Sequence, residues 1–392
     1  MSASGIARTV ARASRSERRP TSITDRAPDE HPRGNANRPI PRDRLTARPR
    51  IVDERAMSQR LTLALVGCGA ISHLHLPAIR SGARRTEITA VVDTEAERAE
   101  AMARETRARA FTSLDDAIAA GGFAAVDLML PHHLHEAAAV RCFAAGKHVL
   151  LEKPLATDLD ACARILAAAR RAGTVFQVAE NTQYWPEVLT ARRLLDESAI
   201  GDVVTARASF AIPPMPQFYG GANAWRLDNA IAGGGIVLDT GSHWIRPLRM
   251  WLGEVDEVVG ALGRPYAAMQ GESLVRALLR FRSGVVAVLD GIMKDPPFVP
   301  EPMFRLTGTR GEITVERPGK VVLWAEQHPD GAQIGEEGGY LKSYPGQFAD
   351  FEAAVLDGAA LAAGAEVAVG ELRVALALYR SAETRQWEKV WT

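Results

Sequence analysis

Between residues 61 and 179 short apolar runs alternate with longer stretches of helical pattern, and this rhythm limits the fold more than any other feature. Residues 61–66 are apolar and break off at Gly67. A run that short, ended by glycine, predicts a buried strand rather than a helix. Residues 87–92, 124–130, 148–151 and 175–179 repeat the pattern, with helical segments at 72–81, 95–107, 134–145 and 158–172. Strands separated by helices of that length join one sheet as right-handed βαβ crossovers, which predicts a doubly wound parallel sheet.

The first crossover carries the motif Gly67-Cys68-Gly69-Ala70-Ile71-Ser72. In a dinucleotide fold the first glycine allows a tight turn and the second lets the backbone approach a pyrophosphate. The following helix then offers free N–H groups and the positive end of its dipole. Ser72 stands where Gly or Ala is usual. Asp93 ends the next strand, where a carboxylate accepts from a ribose 2′-hydroxyl and repels a 2′-phosphate. These residues predict a nicotinamide dinucleotide site with NAD(H) preferred over NADP(H). Other strand ends add Pro131-His132-His133-Leu134-His135 and Glu152-Lys153-Pro154. Adjacent histidines point apart, and no cysteine accompanies them at ligand spacing, so a loop at the cofactor's edge is favoured over a metal site. His73 and His75 fall on the first helix, in packing or surface positions.

The pattern changes after Ala179. A helix is predicted at 186–196, followed by strands at 202–210, 255–262, 272–281, 285–290, 303–308 and 312–316, with hairpin turns at 282–284 and 308–311. A largely antiparallel sheet follows from that order. Between its first strands lie Gly233-Gly234-Gly235 and Asp239-x3-His243, with a helix beginning near Leu238. Spacing of i and i+4 sets the carboxylate and imidazole on one helix face, where Asp239 would orient the ring as a proton shuttle. Residues 347–356 and 369–385 read as closing helices.

Composition excludes some partners. Lys+Arg and Asp+Glu are equal at 47 each, which removes the electrostatic reason to expect nucleic acid or an anionic membrane. Residues 1–56 differ: they hold thirteen Arg against seven acids, no aromatic residue and no apolar period. A disordered extension is expected there, ahead of a dinucleotide-binding domain at 57–179 and a substrate and oligomerisation domain at 180–392. Three scattered cysteines suggest a reducing, cytoplasmic setting. Only six of the basic residues are Lys, which singles out Lys153.

In order and spacing, Val66-Gly-Cys-Gly-Ala-Ile-Ser72, Val91-Val-Asp93, Pro131 with His135, Gly146-Lys-His-Val149, Glu152-Lys-Pro154, Trp225-Arg226, Gly233-Gly-Gly235 and Asp239-x3-His243 resemble the glucose–fructose oxidoreductase / inositol dehydrogenase / MocA family. The resemblance runs from about residue 61 to 391. It implies an N-terminal Rossmann domain and a C-terminal α/β domain whose large, mostly antiparallel open sheet builds a homodimer or homotetramer. It implies hydride transfer between NAD(H) and a hydroxyl or keto carbon of a sugar, sugar derivative or cyclic polyol. Lys153, Asp239 and His243 would then face the nicotinamide, and Tyr184, Trp185, Tyr219, Trp225 and Arg226 would line the sugar site. Two positions depart from the family pattern: Gln183 where many relatives have Arg, and Arg246 where many have Asp. A glycosidase using transient oxidation and a dinucleotide-sensing regulator are the alternatives within the fold.

Overall fold

The computed structural model describes residues 59–392, so the expected extension at 1–56 lies outside the described residues. The first sheet holds β1 (Leu61–Val66), β2 (Thr86–Val92), β3 (Arg109–Phe111), β4 (Ala125–Leu128), β5 (His148–Glu152) and β6 (Phe176–Ala179). Their order is β3-β2-β1-β4-β5-β6 and every pairing is parallel. This is the doubly wound order, with the reversal between β1 and β4. The central strand β4 is buried at all four positions because helices cover both faces. The helices on the way are α1 (Ser72–Gly82), α2 (Ala96–Thr106), α3 (Leu114–Ala120), α4 (His135–Ala144) and α5 (Leu159–Ala172).

After α6 (Pro186–Asp196) comes the second sheet. It contains β7 (Val203–Ile212), β8 (Val255–Gly263), β9 (Leu274–Phe281), β10 (Val286–Met293), β11 (Phe304–Gly308), β12 (Gly311–Glu316), β13 (Lys320–Ala325), β14 (His328–Gln333) and β15 (Glu388–Lys389). The order is β14-β13-β12-β11-β7-β10-β9-β8-β15, antiparallel except where β7 meets β10. Sequence pattern missed β13, β14 and the short β3 and β15. Pro329, Asp330 and Gly331 give β14 almost no strand propensity, and its partner β13 organises it. One face of the sheet packs on α6, α7 (Ser242–Leu252) and α9 (Ala368–Thr384). The other face carries Arg207, Arg276, Arg280 and Arg305, ion-paired with Asp290, Glu301, Glu257 and Glu312. Helix α8 (Tyr344–Asp357) packs against α1 instead, and Arg85 before β2 pairs with its Glu352 and Asp357. Among the described residues no helix is long and apolar enough to cross a membrane.

The Gly233–Gly235 stretch has a packing reason. A Cβ on Gly235 would sit 1.9 Å from the Glu272 carbonyl oxygen. That close approach lets the Glu272 carboxylate accept from Gly235 N at 3.0 Å and Val237 N at 2.8 Å, capping the one-turn helix Ile236–Asp239.

A charged group sits inside the first sheet's core. His75 on α1 is fully buried; its Nδ1 lies 2.8 Å from Asp127 Oδ2 on β4, and its Nε2 lies 3.0 Å from Glu152 Oε1 at the end of β5. The second contact is at ion-pair distance without the alignment of a hydrogen bond. Burial opposes the cation, but the two carboxylates outweigh it and hold the His75 pKa up at about 10. The folded chain therefore keeps a proton that the unfolded chain releases near pH 6.5. The stability this group contributes is complete below pH 6.5 and is lost as pH rises towards 10. Below pH 7.5 the three buried thiols, whose pKa values burial pushes up to about 12, contribute little, because the unfolded chain ionises them mainly above it. His132, His135 and His148 slope the other way, since burial lowers their pKa values and the unfolded chain alone protonates them near pH 6.5. His75→Gln should therefore be less stable at pH 6.5, and its urea-derived gap to the unaltered chain should shrink by about 1 kcal/mol from pH 6.5 to 7.5. A gap that stays constant across the window would assign the slope to other groups.

Candidate active site

A cavity of about 1130 Å³ opens at the carboxyl edge of the first sheet, where ligands bind in open α/β folds. The first sheet's strand ends form one side, and residues 181–187, the segment between β7 and β8, and residues 338–344 form the other. At the dinucleotide end, Gly67 takes φ +95°, and a Cβ there would lie 2.3 Å from the Met129 carbonyl oxygen. Only glycine permits this turn. Gly67, Gly69, Ala70 and Ile71 line the cavity. Ser72 does not: its hydroxyl donates to the Gly69 carbonyl at 2.7 Å and closes the turn from behind. Asp93 also lines the cavity, with Cys68 N donating to its Oδ2 at 2.8 Å and Glu95 N to its Oδ1 at 2.9 Å. A carboxylate so fixed keeps acceptor positions for ribose hydroxyls. Arg98 stands 3.4 Å from Asp93 Oδ1 and was not foreseen from sequence. These residues fit a dinucleotide with a free 2′-hydroxyl.

The reactive end is built around Lys153, at the turn that follows β5. Its Nζ donates to Asp239 Oδ1 and to the Asp239 carbonyl oxygen, each at 2.6 Å. Arg226 Nε and His132 Nε2 both stand 3.7 Å from the same carboxylate, and the Tyr219 hydroxyl donates to it at 3.5 Å. Burial would raise the Asp239 pKa, but Lys153 and Arg226 hold it well below the usual carboxylate range. His132 is the reverse case: burial pushes its pKa down to about 3, so the ring is neutral and Nδ1–H donates to the Ala232 carbonyl at 2.7 Å.

The spacing of Asp239 and His243 predicted a mutual contact, and the structure corrects this. The helix breaks between Asp239 and Ser242: Gly241 N bonds the Ile236 carbonyl, five residues back, and the Asp239 carbonyl accepts from Lys153 rather than from His243 N. His243 N bonds the Thr240 carbonyl instead. The imidazole turns to a residue the sequence reading passed over: His243 Nδ1 lies 2.6 Å from Glu180 Oε1. The available signal was position, since Glu180 follows β6 on the same edge as the other site residues.

Pro131, Glu152, Trp185, Tyr219, Trp225, Arg226 and His243 line the cavity as expected. Trp225 meets His132 edge-on at 4.8 Å and carries the Arg226 guanidinium 4.2 Å from its ring centre. The buried Trp185 Nε1–H finds no acceptor among the described residues. Two expected residues lie elsewhere. His135 is buried behind the wall, its nitrogens 2.8 Å from the Pro154 carbonyl and 2.9 Å from the Leu130 carbonyl; burial lowers its pKa, and the one N–H of the neutral ring donates to one of the two. The Tyr184 hydroxyl donates to Asp350 at 2.7 Å and accepts from Gln177, bridging towards α8. Gln183 and Arg246 also stand outside the cavity wall. Tyr340 was not foreseen; it lines the cavity with its ring 6.0 Å from that of His243. Among the described residues no group of three or more His, Cys, Asp and Glu side chains is placed to hold a metal.

Comparison with known proteins agrees with this layout. Residues 61–180 match the model of an oxidoreductase family described as an NAD-binding Rossmann fold, and residues 188–314 match the GFO/IDH/MocA C-terminal domain. The dTDP-3,4-didehydro-2,6-dideoxy-alpha-D-glucose 3-reductase of Actinomadura kijaniata is 32% identical over 60% of this chain and 69% of its own length. The 1,5-anhydro-D-fructose reductase of Ensifer adhaerens is 31% identical over 58% and 67%. Among solved structures, GenD2 from gentamicin A biosynthesis, in complex with NAD, superposes with a TM-score of 0.74 at 26% identity, covering 88% of this chain and 99% of that one.

Proposed function

The chain belongs to the GFO/IDH/MocA oxidoreductase family, and from that premise we propose that it moves hydride between NAD(H) and a hydroxyl or keto carbon of a sugar or sugar derivative. The observation that carries this reading is that Lys153, Asp239 and His243 line one cavity with Gly67, Gly69 and Asp93. Aromatic faces at Trp185, Tyr219 and Trp225 suit the C–H surface of a sugar ring, and Arg226 offers donors to its oxygens. The two curated relatives described above are sugar reductases by name, which favours the same substrate class here.

Bound NAD+ supplies the hydride acceptor. His243 accepts the substrate hydroxyl proton at Nε2, since Nδ1 is committed to Glu180. Lys153 has three N–H donors and spends two on Asp239, leaving one for the substrate oxygen and the negative charge that develops on it. Asp239 holds that ammonium in place. In the reductive direction His243 returns the proton.

We also place the chain in the cytoplasm, where its three buried, unpaired cysteines remain reduced. Cell fractionation checks this, and recovery with an exported fraction would refute it. The outer face of the second sheet, with its ladder of arginines and carboxylates, is proposed as the homo-oligomer contact. Light scattering should give two or four times 42.3 kDa, and a monomer at micromolar concentration would refute it.

Lys153→Ala and His243→Ala should each lower kcat by about 10²–10⁴-fold while NAD(H) affinity changes little. The double variant should be less impaired than the product of the singles, because the groups act on one oxygen. Near-normal turnover of both singles would move the chemistry elsewhere. Binding titrations should favour NAD(H) over NADP(H) by tenfold or more, roughly the scale of a single repulsive contact. Asp93→Gly should narrow the ratio, and tighter NADP(H) binding by the unaltered chain would overturn the preference.

A further inference from the structure

We propose that Glu180 is the positioning residue for the His243 imidazole, fixing its tautomer and favouring its protonated form. The inference rests on the reading that His243 takes the substrate's proton. Glu180 is 1% exposed and His243 is 8% exposed, so water does not compete for their contact. Glu180 Oε1 sits 2.6 Å from His243 Nδ1. It also accepts from Thr182 N at 3.2 Å and Thr182 Oγ1 at 2.7 Å, at the start of the turn Asn181–Tyr184. The carboxylate is thus fixed by its own turn rather than by the ring. With Nδ1–H donating to it, Nε2 carries the lone pair that a general base needs. When Nε2 gains a proton, the positive ring faces a carboxylate at hydrogen-bond distance.

The surrounding charges keep Glu180 ionised. Burial raises its pKa, but His243, Arg246 on α7 and Lys153 after β5 outweigh that and hold it far below the usual range. Among the other titratable groups of the cavity wall, Asp239 is committed to Lys153, Tyr219 donates to Asp239, Glu152 faces His75 and Lys153 N, Glu187 accepts from Gly339 N, and Tyr344 bonds Tyr340, which packs edge-on against the ring. None of them bonds His243 Nδ1.

The alternative role for Glu180 is purely structural, as a cap of the 181–184 turn. Glu180→Gln separates the two, since an amide oxygen still accepts from Thr182 while the charge is gone. Two readouts are needed. The pH profile of kcat/KM in the oxidative direction should shift its acid limb down by about one unit or more, the effect of removing an adjacent opposite charge. kcat should fall at least about tenfold, with KM and NAD(H) affinity within threefold. Ring ¹⁵N resonances of His243, assigned against the spectrum of His243→Ala, should show the same downward shift of midpoint without any substrate. Glu180→Asp, which keeps the charge, should restore the midpoint in part. An unmoved His243 midpoint and pH profile in Glu180→Gln would overturn the proposal and leave Glu180 as a cap. Normal turnover of His243→Ala would sink the catalytic reading instead, and the spectroscopic titration would still decide the pairing.

Discussion

The Lys153 ammonium takes two oxygens from one residue, the carboxylate and the backbone carbonyl of Asp239, and much of the site follows from that double contact. A buried cation needs a partner, and removing one side of such a pair typically costs about 3–5 kcal/mol. The contact joins a strand end of the first sheet to the segment that leads into α7, across 86 positions of sequence. At the point where the helix is interrupted, the Asp239 carbonyl accepts from Lys153 rather than from His243 N. The chain re-forms a helix at Ser242, with the His243 ring turned to Glu180. One ion pair thus ties the two sheets together beside the imidazole.

The parallel sheet supplies the other half of that logic. Its strands end at one edge, so Gly67, Pro131 and Lys153 arrive at the same cavity from β1, β4 and β5, and Glu180 follows β6 just behind its wall. These groups sit on turns whose strands are held by buried neighbours on both faces, which gives them little freedom to move. Beneath them, His75 between Asp127 and Glu152 gives the residue before Lys153 a charged anchor in the core. Glu152 Oε2 in turn accepts from Lys153 N at 3.1 Å. The Lys153 ammonium thus stands on a backbone fixed by a second, deeper set of charges.

Local pattern made the framework legible. Strand period and glycine turns located β1, β2, β4, β5 and β6, and α6 spans the very residues expected, because each is buried or capped by its own sequence. Residues 182–185 and 328–333 were harder. Tyr184 and Trp185 are neighbours of like chemistry, and only the three-dimensional turn sends one to Asp350 and the other to the cavity. The Asp239–His243 spacing was read as a contact because an uninterrupted helix makes it one, and the helix is interrupted at Gly241, while the carboxylate's partner, Lys153, is far away in sequence. Glu180 and Tyr340 carried no spacing signal, since their partner His243 is reached only once both sheets are folded.

The two departures from the family pattern resolve into a single arrangement. Arg246 Nη1 donates to Gln183 Oε1 at 2.7 Å, so the unusual residues are each other's partners. Arg246 then makes a two-pronged contact with Glu371 on α9, at 2.8 and 2.9 Å, and Arg249 reaches the same carboxylate. This chain carries the cation on the helix and draws its anion from α9. Neither Gln183 nor Arg246 lines the cavity. The pair sets a guanidinium near Glu180 that helps keep that carboxylate ionised. The departures therefore bear on the proton chemistry of His243 rather than on substrate contacts. Selectivity among sugars has to come from side chains that do face the cavity, Trp185, Tyr219, Trp225, Arg226 and Tyr340 among them.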